Sequence, residues 1–267
     1  MGKKYNMFVD AHCHISSQNY NNPDIIEMII EQTYANRIQF LIVNGGYDKE
    51  NEEVNELAQK HEVIKACVGI HPEGKPLGEK DYERVEAYIN ENTVGIGEIG
   101  LEYFYDWGCS REVQIKSVKA QIKLAKKYNL PVVVHLRDKE DSNLAYEDFY
   151  QIMLENRDLR VMLHTYAGDL DYAKKFLEFP NLYFSFSGVV TFGSSDKTRE
   201  VIKFLPLDRI LTETDAPFLR VHPYTGEKNE PNTVLFVSYY IAGLKGVGMD
   251  KFVDRINRNL RKLFNLK

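Results

Sequence analysis

The chain alternates between two hydrophobic periods along most of its length. Short apolar, β-branched runs occur at Met7–Ile15, Phe40–Asn44, Val63–Ile70, Thr93–Ile99, Pro131–Leu136, Arg160–His164, Leu182–Ser187 and Arg209–Thr212. Between them lie stretches whose apolar residues recur every three to four positions: Pro23–Arg37, Lys49–Lys60, Asp81–Asn90, Arg111–Tyr128, Asn143–Asn156, Leu170–Glu178 and Thr198–Phe204. Two more close the chain, at Asn232–Leu244 and Lys251–Phe264. The first pattern predicts strands and the second predicts amphipathic helices. Strict strand-then-helix alternation implies parallel strands. Eight such units predict an α/β fold of the (β/α)8, or TIM-barrel, type. A doubly wound open sheet would carry a glycine-rich phosphate loop after the first strand, and none is there. The run GIGEIG lies within a strand and places a carboxylate where a phosphate would approach. Nothing marks a linker, so residues 1–267 read as one domain.

Composition narrows this picture. With 43% hydrophobic residues the chain can bury a large core. No apolar run is long enough to cross a bilayer, and the opening MGKKYN lacks the core of a signal peptide. Three widely spaced cysteines, Cys13, Cys67 and Cys109, read as reduced thiols in a cytoplasmic protein. The net charge of −5 excludes a protein that coats nucleic acid through a broad basic face. It leaves room for an enzyme that grips a nucleic-acid end through bound ions and a few local cations.

The candidate chemistry sorts itself onto strand ends. Asp10, His12 and His14 are spaced by two, so in an extended strand they share a face while Cys13 looks away. His71 follows the third strand, Glu98 ends the fourth, His135 ends the fifth and His164 the sixth. Asp215 follows the eighth. In a (β/α)8 barrel these positions converge on the C-terminal mouth. Four histidines and two carboxylates exceed the needs of one zinc-like ion and suit two divalent ions sharing a carboxylate. Zn, Mn, Fe or Co match such donors, Mg less well. Two such ions can activate a water and clamp a phosphate or carbonyl oxygen.

The ordered segments VDAHCH, VGIHP, VGIGEIGLEY, LPVVVHLRD, LHTYAGD, LYFSFSGVVTF, DRILTETDAPFL and GEKNEPN together resemble the motifs of the TatD family. These are metal-dependent DNases among the amidohydrolase-like barrels. The resemblance implies two divalent ions per chain: His12, His14 and Asp215 on one, His135 and His164 on the other, and Glu98 between them. It implies that His71 and Arg137 bind substrate phosphate, and that the substrate is DNA cut from a strand end in the 3′ to 5′ direction. A membrane or obligate protein partner is not expected. A small cyclic amide, lactone or phosphate ester is the rival substrate class, and a non-catalytic metal- or nucleic-acid-binding barrel is the rival to an enzyme. The chain departs from the family at Glu102, where Asp is usual, at HTYAG, and in TGEKNEP, which lacks an arginine. None of these departures is expected to touch a ligand.

Among individual residues, Asp215 is expected to ligate a metal and also act as general base. Asp10 reads as a hydrogen-bond acceptor supporting a ligand histidine, with direct ligation or proton transfer as its alternative. Cys13 reads as core packing, and Glu213 and Thr214 as turn formers. His222 is either a substrate contact or a solvated loop residue. Tyr103, Phe104, Tyr105 and Trp107 form either an aromatic shelf for a terminal base or packing of the fourth loop over the barrel. Arg255, Arg258, Arg261 and Lys262 read as a solvated helix face.

Overall fold

Eight parallel strands in the order β1 to β8 make one sheet that curls into a nearly closed barrel. They are β1 Phe8–Cys13, β2 Ile38–Asn44, β3 Ile64–Val68, β4 Thr93–Glu102, β5 Val132–Arg137, β6 Val161–Leu163, β7 Leu182–Phe186 and β8 Ile210–Thr212. The helices are α1 Pro23–Ala35, α2 Asp48–Lys60, α3 Glu79–Ala87, α4 Arg111–Lys127, α5 Leu144–Leu154, α6 Leu170–Phe176, α7 Asp196–Phe204, α8 Val234–Lys245 and α9 Met249–Phe264. The structure, a computed structural model, describes Tyr5 and residues 7–73 and 79–267, with only the backbone described at residues 79 and 80. Apart from Tyr5, the MGKKYN opening lies outside the described residues.

Every strand is buried along nearly its whole length, as expected when helices cover one face and the barrel interior the other. Val132, Val133 and Val134 in β5 are fully buried, as are Leu182, Phe184 and Ile210. Helix starts follow local chemistry. Asn22 Oδ1 accepts the Asp24 N–H ahead of Pro23 at the first turn of α1, and Asp169 caps α6 through Tyr172 N. Helix α9 buries Phe252, Ile256, Leu260 and Leu263, one apolar stripe at helical spacing. Its basic residues are not uniformly solvated, however. Arg255 and Lys262 are exposed, but Arg261 is buried, its Nε donating to Asn257 Oδ1 and its guanidinium lying over Phe40. Its aliphatic stem covers apolar surface, which the charge pattern alone did not reveal.

Two features of the fold position the site. The seam between β1 and β8 is closed just past the end of β8, where Asp215 N donates to His12 O (3.0 Å) and His14 N to Ala216 O (2.7 Å). In addition, β4 runs on to Glu102, so Glu98 lies inside the strand and does not end it. The β4–β5 register slips between Ile96 and Ile99, and Glu98 sits within that slip. Gly100 lets the two strands meet there: a Cβ on it would stand 1.9 Å from His135 O. Among the described residues no helix is long and apolar enough to cross a membrane.

Candidate metal centre

The barrel brings His12, His14, His71, Glu98, His135, His164 and Asp215 into one cluster at its C-terminal mouth. Glu98 stands at the middle, and its two oxygens face different partners. Oε2 lies 3.2 Å from both His12 Nε2 and His14 Nε2. Oε1 lies 2.7 Å from His164 Nε2 and 3.2 Å from His135 Nδ1 and from His71 Nε2. Asp215 Oδ1 completes the first group at 3.4 Å from His12 Nε2 and 3.6 Å from His14 Nε2. Asp215 holds this place with φ at 54°, a left-handed backbone that Asp tolerates better than most residues.

The outer nitrogens of the rings say which inner nitrogens carry lone pairs. His14 Nδ1 meets Asn44 O at 3.0 Å, an acceptor only, so Nδ1 holds the proton and Nε2 faces the centre as a lone pair. His135 does the same with its atoms reversed, Nε2 donating to Glu102 Oε2 at 3.0 Å. His71 differs. Its Nδ1 accepts the Glu73 N–H at 3.1 Å, so its inner Nε2 carries a proton and donates to Glu98. It presents a donor to the centre, not a lone pair. Inner nitrogens also press together, at 3.1 Å for His12 Nε2 and His14 Nε2 and at 3.1 Å for His135 Nδ1 and His164 Nε2.

Electrostatics points the same way. Burial works against a charged imidazole, yet the Asp215 and Glu98 carboxylates raise His14 to about 10, and Glu98 with Glu213 raises His164. Burial likewise works against ionised Glu98, but His164, His71 and His12 hold its carboxyl well below the usual range. Asp215 is lowered against burial by His12 and His14. Burial outweighs Glu98 at His71 and lowers it, which keeps that ring neutral. The cluster calls for positive charge. Protons or divalent cations can answer it, and they compete for the same lone pairs. Donors about 2.1 Å from a tetrahedral ion stand roughly 3.4 Å apart. The separations around Glu98 Oε2 and Asp215 Oδ1 match that spacing, so the residues present fit a metal.

Several expectations change on contact with this geometry. Glu102 does touch a candidate ligand, because the longer β4 carries it onto the same face as Glu98 and beside His135. Glu213 does more than form a turn. Its Oε1 accepts from Thr165 N (2.6 Å) and Thr165 Oγ1 (2.5 Å) and stands 3.5 Å from His164 Nδ1 without forming a hydrogen bond to it. Asp10 supports no imidazole ring. It accepts from Thr214 Oγ1 (2.6 Å), Thr214 N (2.9 Å) and His12 N (3.2 Å), clasping β1 to the segment that carries Asp215. The ring nitrogen His12 Nδ1 is buried without a partner among the described residues. Cys13 packs in the core as expected. The His222 ring is exposed, and among the described residues its backbone N–H is engaged by Thr191 Oγ1. Arg137 sits at the rim, Nη1 3.9 Å from Glu102 Oε2 and its guanidinium 4.1 Å from the Phe104 ring centre. Glu102 and Glu213 share one signal in the sequence: each lies within four residues of a candidate ligand, on a strand or just past its end.

The family model of TatD-related DNases matches residues 9–265. YabD of Bacillus subtilis, an uncharacterised metal-dependent hydrolase, is 33% identical over 97% of this chain and all of its own length. The Escherichia coli K12 protein YcfH, described in the same words, is 31% identical over 97% of this chain and 96% of its own. The crystal structure of YjjV, a TatD homologue from E. coli K12, superposes with a TM-score of 0.83 at 26% identity, covering 97% of this chain and 98% of the other. With the sequence matched almost end to end and the imidazole–carboxylate cluster at the barrel mouth, the chain belongs to the TatD family of metal-dependent hydrolases.

Proposed function

We propose that the protein is a DNA phosphodiesterase that works on single strands or strand ends in the cytoplasm and removes nucleotides in the 3′ to 5′ direction. The observation that carries the reading is the division of Glu98, one oxygen toward His12 and His14 and the other toward His135 and His164. In this reading His12, His14, Asp215 and Glu98 would hold one divalent ion, and His135, His164 and Glu98 would hold a second. Zn, Mn, Co and Fe suit these donors better than Mg does. Bound there, such ions supply Lewis acidity toward a phosphoryl oxygen and lower the pKa of water.

The chain's own groups do the rest. Asp215, held ionised beside His12 and His14, accepts a proton from the water that attacks phosphorus. The phosphorus–oxygen bond to the leaving sugar breaks, and that oxygen takes up a proton from solvent. His71 offers its Nε2–H, and Arg137 its guanidinium, to the non-bridging phosphate oxygens. A neutral donor beside a fixed cation suits a phosphate better than a neutral amide. Glu102 holds His135 in place through its ring Nε2.

The test pairs metal analysis of the purified protein with two substrate sets, end-labelled single-stranded DNA and a panel of cyclic amides and lactones. Shortening of the labelled strand from its 3′ end under Mn, Co or Zn, lost in Glu98→Gln, is the expected result. Turnover of the amides or lactones alone would overturn the reading, and so would DNA binding with no cleavage under any metal.

A further inference from the structure

Beyond the metal centre, the β4–α4 loop carries a surface that the chemistry above does not use. Its aromatic residues divide into two groups. Tyr103 turns inward, its hydroxyl donating to Asp148 Oδ2 at 2.9 Å. Phe104, Tyr105 and Trp107 turn outward. Trp107 is 63% exposed, more than any other large apolar side chain among the described residues, so it does not pack the loop over the barrel. One face of its indole stacks on Tyr105, with ring centres 4.8 Å apart and planes at 29°. The Tyr105 hydroxyl is held by Arg137 Nη1 at 3.2 Å, and Phe104 stands edge-on to Tyr105 at 5.0 Å under the Arg137 guanidinium.

This platform is braced from behind. Phe104 N donates to Glu102 Oε1 (2.8 Å), Tyr103 N to Arg137 O (2.8 Å), and Gln114 Nε2 to the carbonyls of Glu102 and Cys109. Lys139 forms an ion pair with Asp106, across the base of the Trp107 turn. The platform is also continuous with the cluster, through Arg137 to Glu102 and Glu102 to His135. An exposed aromatic surface that is preordered, rimmed by cations and joined to a candidate phosphate site has the form of a base-stacking subsite.

We infer that the Tyr105–Trp107 stack, fixed by Arg137, receives an unpaired nucleobase next to the phosphate held at the metal centre. This deepens the phosphodiesterase reading and rests on it for the position of the phosphate. It makes the preferred substrate an unstacked polynucleotide end, because the base must leave its own stack to lie on the indole. Every base has a π-face, so the subsite is tolerant of sequence.

Trp107 is the sole tryptophan, so intrinsic fluorescence reports on this one ring. In chelator, where no cleavage occurs, an eight-residue thymidine oligomer should quench the emission saturably. An abasic oligomer of the same length and charge should not, and a blunt duplex should quench less. With metal restored, Trp107→Leu should raise KM for the thymidine oligomer about tenfold or more, with the loss falling on KM and not on kcat. Trp107→Phe, which keeps an aromatic face, should recover most of that loss. Equal quenching by the abasic and thymidine oligomers, or none by either, overturns the proposal, as does a loss confined to kcat. Hydrolysis of bis(p-nitrophenyl) phosphate separates the two readings. Turnover of this diester without quenching removes the stacking subsite and leaves the phosphodiesterase. Quenching without hydrolysis of any diester does the reverse.

Discussion

Glu98 shows how much one residue can decide. Its carboxylate is 2% exposed and surrounded by five imidazoles, at a depth where an uncompensated charge is strongly disfavoured. It survives because the rings around it share the charge, and two of them, His14 and His135, are in turn aimed by acceptors outside the cluster. Two grades of effect follow. Glu98→Gln keeps the shape but removes the charge on which both donor groups converge. Its affinity for Mn or Zn should fall by more than about 100-fold, beyond the roughly 10–100-fold expected when an outer partner is lost. Glu102→Gln, which weakens the hold on His135 Nε2 and keeps an oxygen for the Phe104 N–H, should fall within that smaller range. Competition titrations against a chelating dye check both. An unchanged affinity in Glu102→Gln would remove its role in orienting His135.

At the scale of elements, the site depends on how β1, β4 and β8 are joined. Asp10 is fully buried and serves two backbone N–H groups and one hydroxyl. Asp10→Ala would strand the N–H groups of Thr214 and His12, at about 1–3 kcal/mol for each unsatisfied group. Urea unfolding in chelator should therefore show a loss of roughly 3 kcal/mol, with m unchanged if the loss is one of stability alone. Gly100 plays the matching part between β4 and β5. Its replacement by Ala drives a methyl group into the His135 carbonyl, and the overpacking should cost at least about 1–3 kcal/mol. Because His135 moves with that carbonyl, metal affinity should fall together with stability. A variant as stable as the parent would mean that the strands part more easily than this packing implies.

For the molecule as a whole, the centre gathers side chains from β1, β4 and β5 and from the segments just past β1, β3, β6 and β8. Ions held there as proposed would together restrain β1, β4, β5 and the segments just past β6 and β8. Binding to the folded chain alone stabilises it by about 2.7 kcal/mol when the metal is at 100 times Kd. For a chain of this size each kcal/mol moves Tm by about 2–4 °C. Chelation should thus lower Tm by about 5–10 °C in a calorimetric scan, and the shift should vanish in Glu98→Gln. With a net charge of −5, the polynucleotide substrate proposed above would be drawn by local groups such as Arg137 rather than by a broad field.

The order of strands and helices was legible along the chain because each has its own hydrophobic period, and a parallel barrel buries its strands so fully that they read as plain apolar runs. The ligand-type residues were legible for a related reason. Strand ends are countable in sequence, and a barrel of parallel strands gathers them on one face, so His12, His14, Glu98, His135, His164 and Asp215 could be named before any distance was known. What the sequence could not decide was set by contacts between strands far apart in the chain. The extension of β4 turned Glu102 toward His135, and the seam between β1 and β8 gave Asp10 to Thr214 rather than to a ring. The Glu73 N–H made His71 a donor where the inner nitrogens of His14 and His135 are acceptors, and Tyr105 left one face of Trp107 open. Periodicity reports which face a side chain takes on its own strand. Which atom it meets on that face depends on register and closure, and those exist only once the barrel has formed.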